Sequence, residues 1–238
     1  MTVVAGVDGC RGGWVVVQAR TGRDAGLTDV RCRIVHRLAD VVAQDSPPAI
    51  IAVDIPIGLL AAAEPGGRSC DREARRLLGR ARSSSVFSPP ARAVLDCTDY
   101  RRALRVNRAS SPHGLGLSKQ CWNIVAKVRE VEEAMQRRDD AAMRGADVRE
   151  SHPEVCFCMM AGAPMVHNKK TAEGRLERLA ALDRVGLGDA ARAATSVRDP
   201  GACAVDDIID AHACLWTAAR IATGSAGSVG DELARIWF

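Results

Sequence analysis

Residues 2–20 read TVVAGVDGCRGGWVVVQAR, and this stretch decides the fold. An apolar run over 2–8 ends on a single carboxylate, Asp8. Gly9, Gly12 and Gly13 then bracket Arg11, and a second apolar run begins at Trp14. Two such runs joined across 9–13 predict a hairpin of strands at 2–8 and 14–20. The unbroken apolar character of the first strand places it inside a sheet, covered on both faces.

Outward from the hairpin, residues 29–35 alternate and predict a third strand. A helix is expected over 36–45, closed by Ser46-Pro47-Pro48. Residues 49–55, AIIAVDI, form another continuous apolar strand, and it too ends at a carboxylate, Asp54. Helices are expected over 69–80, 96–106 and 119–143, with loops at 83–92 and 107–117. A short strand over 147–150 ends at Glu150. Helices follow over 153–161, 172–185 and 204–223, the last apolar almost all round and therefore buried. The tail, 231–238, is expected to close on a short strand. The expected fold class is α/β: a mixed sheet, an antiparallel meander continued by parallel strands, with helices on both faces. Residues 1–238 are read as a single domain, with 60–146 as a helical insertion or lid within it.

The chain has 238 residues, enough to bury a core without staples. Hydrophobic residues make up 47% but aromatics only 3%, so the core must be built from Val, Ile, Leu and Ala. Nine cysteines fall at irregular spacings without a CxxC pair; Cys156 and Cys158 are two apart. That pattern predicts free buried thiols in a reducing cytoplasm rather than a disulfide framework or a zinc site. No secretory signal is visible, and the apolar runs are too short to span a bilayer, so a soluble cytoplasmic protein without a membrane partner is expected. The oligomeric state is left open. The net charge is +4, yet residues 64–110 alone hold eleven arginines against five acids. Guanidinium forks suit phosphate oxygens, and a solvated, salt-bridged helix surface accounts for them equally well.

The carboxylates carry the chemistry. Asp8 and Asp54 each end a buried strand, so neighbouring strands would bring them out together. Bare carboxylates in proximity repel and resist ionisation unless they share a proton or bind a cation. Helix 204–223 adds Asp206, Asp207 and Asp210, whose three- and four-residue spacings share a face. Capping and the helix dipole also explain acids in a first turn. Aspartates without a thiolate pair favour hard cations, Mg²⁺ or Mn²⁺. Two such ions about 4 Å apart can activate a water and stabilise a leaving oxygen. The glycines of the hairpin serve the turn, and they also let phosphate approach backbone amides.

The blocks GVDGCRGGWV, AVDIPIGL, RSCDREAR…SSVFSPPA, ESHPEVCF and DDIIDAHAC run from residue 6 to residue 214. Together they resemble a bacterial family, labelled a domain of unknown function, of predicted RNase H-like nucleases. The resemblance implies an RNase H-like fold, with Asp8 as the acid of the first strand and Asp54 as the second acid. Asp207 and Asp210 resemble the D-x-x-D of the final helix in RuvC-type junction resolvases, and Glu150 is a further catalytic candidate or a structural acid. The insertion has no counterpart in minimal RNase H enzymes. As a lid it would turn Arg72, Arg76, Arg82, Lys119, Gln120 and Lys127 towards substrate, with Gly9, Arg11 and Gly12 from the hairpin.

The expected activity is metal-dependent hydrolysis of a phosphodiester in nucleic acid or in a small phosphorylated ligand. Asp8, Asp54, Asp207 and Asp210 would be the ligands of two Mg²⁺ or Mn²⁺ ions, making a two-metal-ion hydrolase. Two alternatives stand beside it. One is an actin-like-fold phosphotransferase cradling ATP at the 8–13 hairpin, although one glycine-rich hairpin and no Walker A motif speak against it. The other is a non-catalytic binding module. The sequence has no nucleophile elbow of the G-x-S-x-G kind. His212 is read as a packed core residue, and His152, beside Glu150, is the histidine to test.

Overall fold

The computed structural model describes residues 1–22, 26–44, 46–136 and 145–238. Strands β1 (Thr2–Cys10) and β2 (Gly13–Thr21) form the hairpin, with Cys10 opposite Gly13 and Arg11-Gly12 as the turn. Strand β3 (Leu27–Val35) adds antiparallel to β2. On the far side of β1, β4 (Ile50–Val53) and then β5 (Asp147–Glu150) add in parallel. The sheet order is therefore β3-β2-β1-β4-β5, a five-stranded mixed sheet flanked by helices. The apolar run that begins the chain lies at its centre.

Strand periodicity sends alternate residues of β1 to opposite faces. Val4, with Val15 and Val17 of β2 and Ala52 of β4, packs under α5 (Pro153–Ala161), α6 (Ala172–Arg184), α7 (Gly188–Ser196) and α8 (Val205–Thr223). Ala5 and Val7, with Trp14, Val16, Ile51 and Val53, pack under α1 (Ala39–Val42), α3 (Tyr100–Ser110) and α4 (Lys119–Gln136). A smaller cluster joins α2 (Ser69–Arg82) and α5 to a ribbon of β6 (Ser228–Gly230) and β7 (Arg235–Trp237). A bridge from Ser151 to Trp237 ties that ribbon to the end of β5.

The approach of α8 to β1 is set by Gly6. A Cβ there would lie 2.0 Å from the Leu215 amide nitrogen and 2.2 Å from the Ala211 carbonyl oxygen. The helix meets the strand backbone to backbone, helped by Ala211, Ala213 and Cys214, all wholly buried.

Several expected elements are corrected. The helix expected over 36–45 is a single turn, Ala39–Val42, squeezed between the end of β3 and the Pro47-Pro48 stop. The helix expected over 96–106 begins later because Asp99 caps it, accepting the Arg102 amide at 2.9 Å. It therefore runs four residues into the expected 107–117 loop, which Asn107 then anchors by accepting from the Ala91 amide and donating to the Leu115 and Gly116 carbonyls. Helix α2 reaches Arg82 through a non-helical Gly79. Helix α7 was not expected: GDAARAATS carries helix propensity through alanine but little apolar periodicity. Of the expected 119–143 helix, residues 137–143 lie outside the described residues.

The Gly6 contact gives a direct test. Gly6→Ala has no room and should destabilise the protein by about 2 kcal/mol or more, seen as an earlier urea midpoint. An unchanged midpoint would mean that α8 can rise from the sheet at no cost.

Candidate functional site

Val7 pairs with Val53 across the parallel β1–β4 ladder, and the Asp54 amide donates to the Val7 carbonyl at 3.0 Å. Asp8 and Asp54 thus stand one residue beyond the same rung, on the face covered by α8. The first two turns of α8 bring Asp207 and Asp210 over them. Asp8 is 7% exposed and Asp210 2%. All four line one cleft of about 760 Å³. Its walls come from residues 82 and 84–87, from Gln120, Asn123, Ile124 and Lys127 of α4, and from Asn168, Lys169 and Lys170.

Burial and the charges of Asp54 and Asp210 hold the Asp8 carboxyl well above the usual carboxylate range. Burial, with Asp210 adding and His152 opposing, pushes Asp54 up to about 6. Burial raises Asp207 as well, although its Oδ2 accepts the Ala204 amide at 2.8 Å and so caps α8. The cation within reach is Lys169, whose Nζ lies 2.6 Å from Asp210 Oδ2 and 3.7 Å from Asp206 Oδ2. Asp210 and, behind it, Asp8 and Asp54 keep this ammonium firmly protonated. Asp8 Oδ1 accepts the Gly9 amide at 2.7 Å. Among the described residues no hydrogen bond reaches the Asp54 carboxylate. His152 Nδ1, in the cleft lining, is buried without a partner. Cys10 is also there, but burial raises its thiol, which stays protonated. The carboxylate oxygens, with no thiolate among them, are donors that suit a hard divalent cation, and the open imidazole nitrogen is a borderline donor at its edge.

Glu150 reaches the same floor in a different state. Arg68 Nη1 and Nη2 each donate to it at 2.6 Å, and the Ile57 amide adds a third bond at 2.7 Å. Arg68 also holds Asp71, at 2.7 Å through Nη2. Cys70, Asp71 and Glu150 lie close enough together to hold a metal ion. In the structure the Arg68 guanidinium, 2% exposed, supplies the balancing charge.

Of the expected substrate contacts, Gly9, Arg11, Arg82, Gln120 and Lys127 line the cleft. Gly12, Arg72, Arg76 and Lys119 do not. The Gly12 amide donates to Ala202 at 2.8 Å, Arg72 binds the Gly67 carbonyl, Arg76 is exposed, and Lys119 lies over the Tyr100 ring. Gly9 makes room for a side chain rather than a phosphate: a Cβ there would sit 2.6 Å from Lys127 Cδ. Lys127 crosses this gap, lies over the Trp14 ring and donates to the Gly13 carbonyl. Arg82 donates to the Met165 carbonyl at 2.7 Å and pairs with Glu154, which Arg178 also holds, at 2.7 and 2.9 Å. His212 is a core residue, its Nδ1 2.8 Å from the Ile208 carbonyl oxygen and its imidazole pushed down to about 4 by burial.

Sequence reasoning missed Asn123, Asn168, Lys169, Lys170 and the Arg178–Glu154 pair. One signal was available for the lysines. Only four of the 33 basic side chains are lysines, at 119, 127, 169 and 170, and three of those four line the cleft.

Two outcomes follow from the unequal carboxylates. Asp54 titrates higher folded than its ordinary 3.8, so the stability it allows is full at low pH and lost as pH rises through about 6. Melting of metal-free protein should therefore show wild type losing stability relative to Asp54→Asn between about pH 4 and about pH 6, with no further divergence above that; parallel curves would contradict the assignment. Glu150→Gln should instead cost about 2 kcal/mol, because Arg68 loses one of its two carboxylate partners and keeps Asp71, equally with and without added Mn²⁺. A loss that appears only with the metal would make Glu150 a ligand.

Neither the curated proteins nor the solved structures give a match to this chain. One family model, described as "Protein of unknown function (DUF429)", matches residues 6–235, which include every carboxylate of the cleft. The chain belongs to the DUF429 family.

Proposed function

We propose that the cleft is a metal-dependent hydrolytic site for phosphodiester bonds, built on an RNase H-like fold. The observation that carries this reading is the convergence of Asp8, Asp54 and Asp210 from two adjacent strands and one helix, with less positive charge than they need. The sheet order supports it: three antiparallel strands continued by two parallel ones, with an acid on the first strand, the next parallel strand and the long helix near the C-terminus. A bound Mg²⁺ or Mn²⁺ would supply a hydroxide near neutral pH and offset charge developing on the phosphate. Asp8 and Asp54 would hold it from the strands and Asp210 from α8. Arg11, Arg82 and Lys170 give the cleft phosphate-binding charge, and Phe87 and Ile124 give it apolar surface for a base.

The cleft has the volume of a nucleotide-sized ligand site. A cleft of this volume, lined by residues of several elements, favours a single strand or a small nucleotide over a duplex. The ATP-cradle alternative has less support, because the hairpin amides of Gly9 and Gly12 are already bonded within the chain.

Hydrolysis of single-stranded, duplex and branched DNA and RNA, and of small nucleotide phosphodiesters, tests the reading with and without Mn²⁺ or Mg²⁺. Metal-dependent cleavage is expected, strongest on single strands or small diesters, and reduced at least 100-fold in Asp8→Asn. Cleavage that survives in Asp8→Asn, or no cleavage of any substrate with either metal, would overturn it.

A further inference from the structure

We infer that this site, taken as the hydrolytic centre proposed above, holds one divalent cation, and that the Lys169 ammonium occupies the place of a second. Lys169 lies on the segment between α5 and α6 and lines the same cleft as the carboxylates. Its Nζ bonds Asp210 Oδ2 at 2.6 Å and stands 3.7 Å from Asp206 Oδ2. With Oδ2 held by this ammonium, Asp210 keeps only Oδ1 for a metal, enough to help hold one ion but not to be shared with a second.

The position of the lysine is built rather than incidental. The Val166 and His167 amides both donate to Glu177 of α6, at 2.7 and 2.9 Å. The Asn168 carbonyl accepts from the Thr171 amide and hydroxyl, both at 3.0 Å, and Thr171 in turn caps α6 through the Gly174 amide. Buried Arg178 reaches back to the His167 carbonyl at 3.1 Å. The backbone on both sides of Lys169 is thus tied to α6, and the lysine stem extends from a fixed base. An ammonium is a compact point charge with three donors, which suits a place shared among carboxylates.

The strand carboxylates are left differently. Asp8 is buried with one neutral donor, the Gly9 amide, and the Asp54 carboxylate has none among the described residues. They form the place for the single ion, and His152 Nδ1, buried and open, borders it. Lys169 is then a positioning residue, acting through Asp210 on the charge of the site.

Calorimetric titration of Mn²⁺ into the full chain near pH 7.5 tests this by counting ions. Wild type should bind one ion per chain, Lys169→Met two, and Lys169→Arg one again. Lys169→Gln keeps a donor for Asp210 but removes the charge; it should also bind two, and it serves if the Met variant does not fold. Two ions in wild type and in the uncharged variants alike would overturn the inference while leaving the hydrolytic reading intact. A single ion in the uncharged variants would equally overturn it. No ion in any variant would remove the hydrolytic reading as well.

Discussion

Helix α8 touches strand β1 through main chain, and the site exists because of that contact. With no side chain at Gly6, the Ala211 carbonyl and the Leu215 amide come down onto the strand. Two residues further along the same face of β1 is Asp8, and one residue before Ala211 on the helix is Asp210. The closeness that removes a Cβ at one position brings two carboxylates together at the next. Ordinary side-chain packing would separate helix and strand by several ångströms more and would leave water between the acids. The raised protonation of Asp8 follows from this geometry: it is dehydrated, and it feels the charges of Asp54 and Asp210.

Buried ionic groups surround the cleft, and they differ in how completely they are balanced. Arg68 closes on Glu150 through both Nη atoms and on Asp71 through Nη2, and Arg178 reaches both oxygens of Glu154 through Nη2, in nearly dry surroundings. Such pairs offset their own desolvation only when every lone pair is met. The group around Lys169 has one ammonium among several carboxylates and is not closed in this way. Structural ion pairs and the candidate site therefore share residue types and burial. What separates them is the unmet charge.

Much of the sheet was legible, because a continuous apolar strand ending in Asp8 and a second ending in Asp54 have few other readings. The neighbouring placement of those acids follows from parallel pairing of the two strands, which the excursion through β2, β3 and the single-turn α1 between them permits. Less legible were features set by single side chains. Asp99 decides where α3 begins, and no periodicity reveals that. Glu150 and Asp54 end adjacent strands with equal prominence in the sequence, yet Arg68, 82 residues before Glu150, satisfies one and leaves the other. The arginine-rich segment reads as a phosphate footprint, but Arg72 and Arg75 spend their donors on carbonyls of their own loop region. Lys169 sits in a short polar segment with no repeating pattern, and its role depends on a fold that joins residues 41 apart.

The crossing of Lys127 over Gly9 has a kinetic consequence. Helix α4 is fastened to the hairpin there, and the same helix fixes Trp14 and the Leu38 amide through Glu130, at 3.0 and 2.5 Å. One wall of the cleft is thus continuous with the central sheet and has no hinge at which to swing. An active site closed by a moving flap often turns over at the rate of that flap. If the cleft is catalytic as proposed, no such step lies on its α4 side, and any closing motion falls to the walls formed by residues 82 and 84–87 and by residues 168–170.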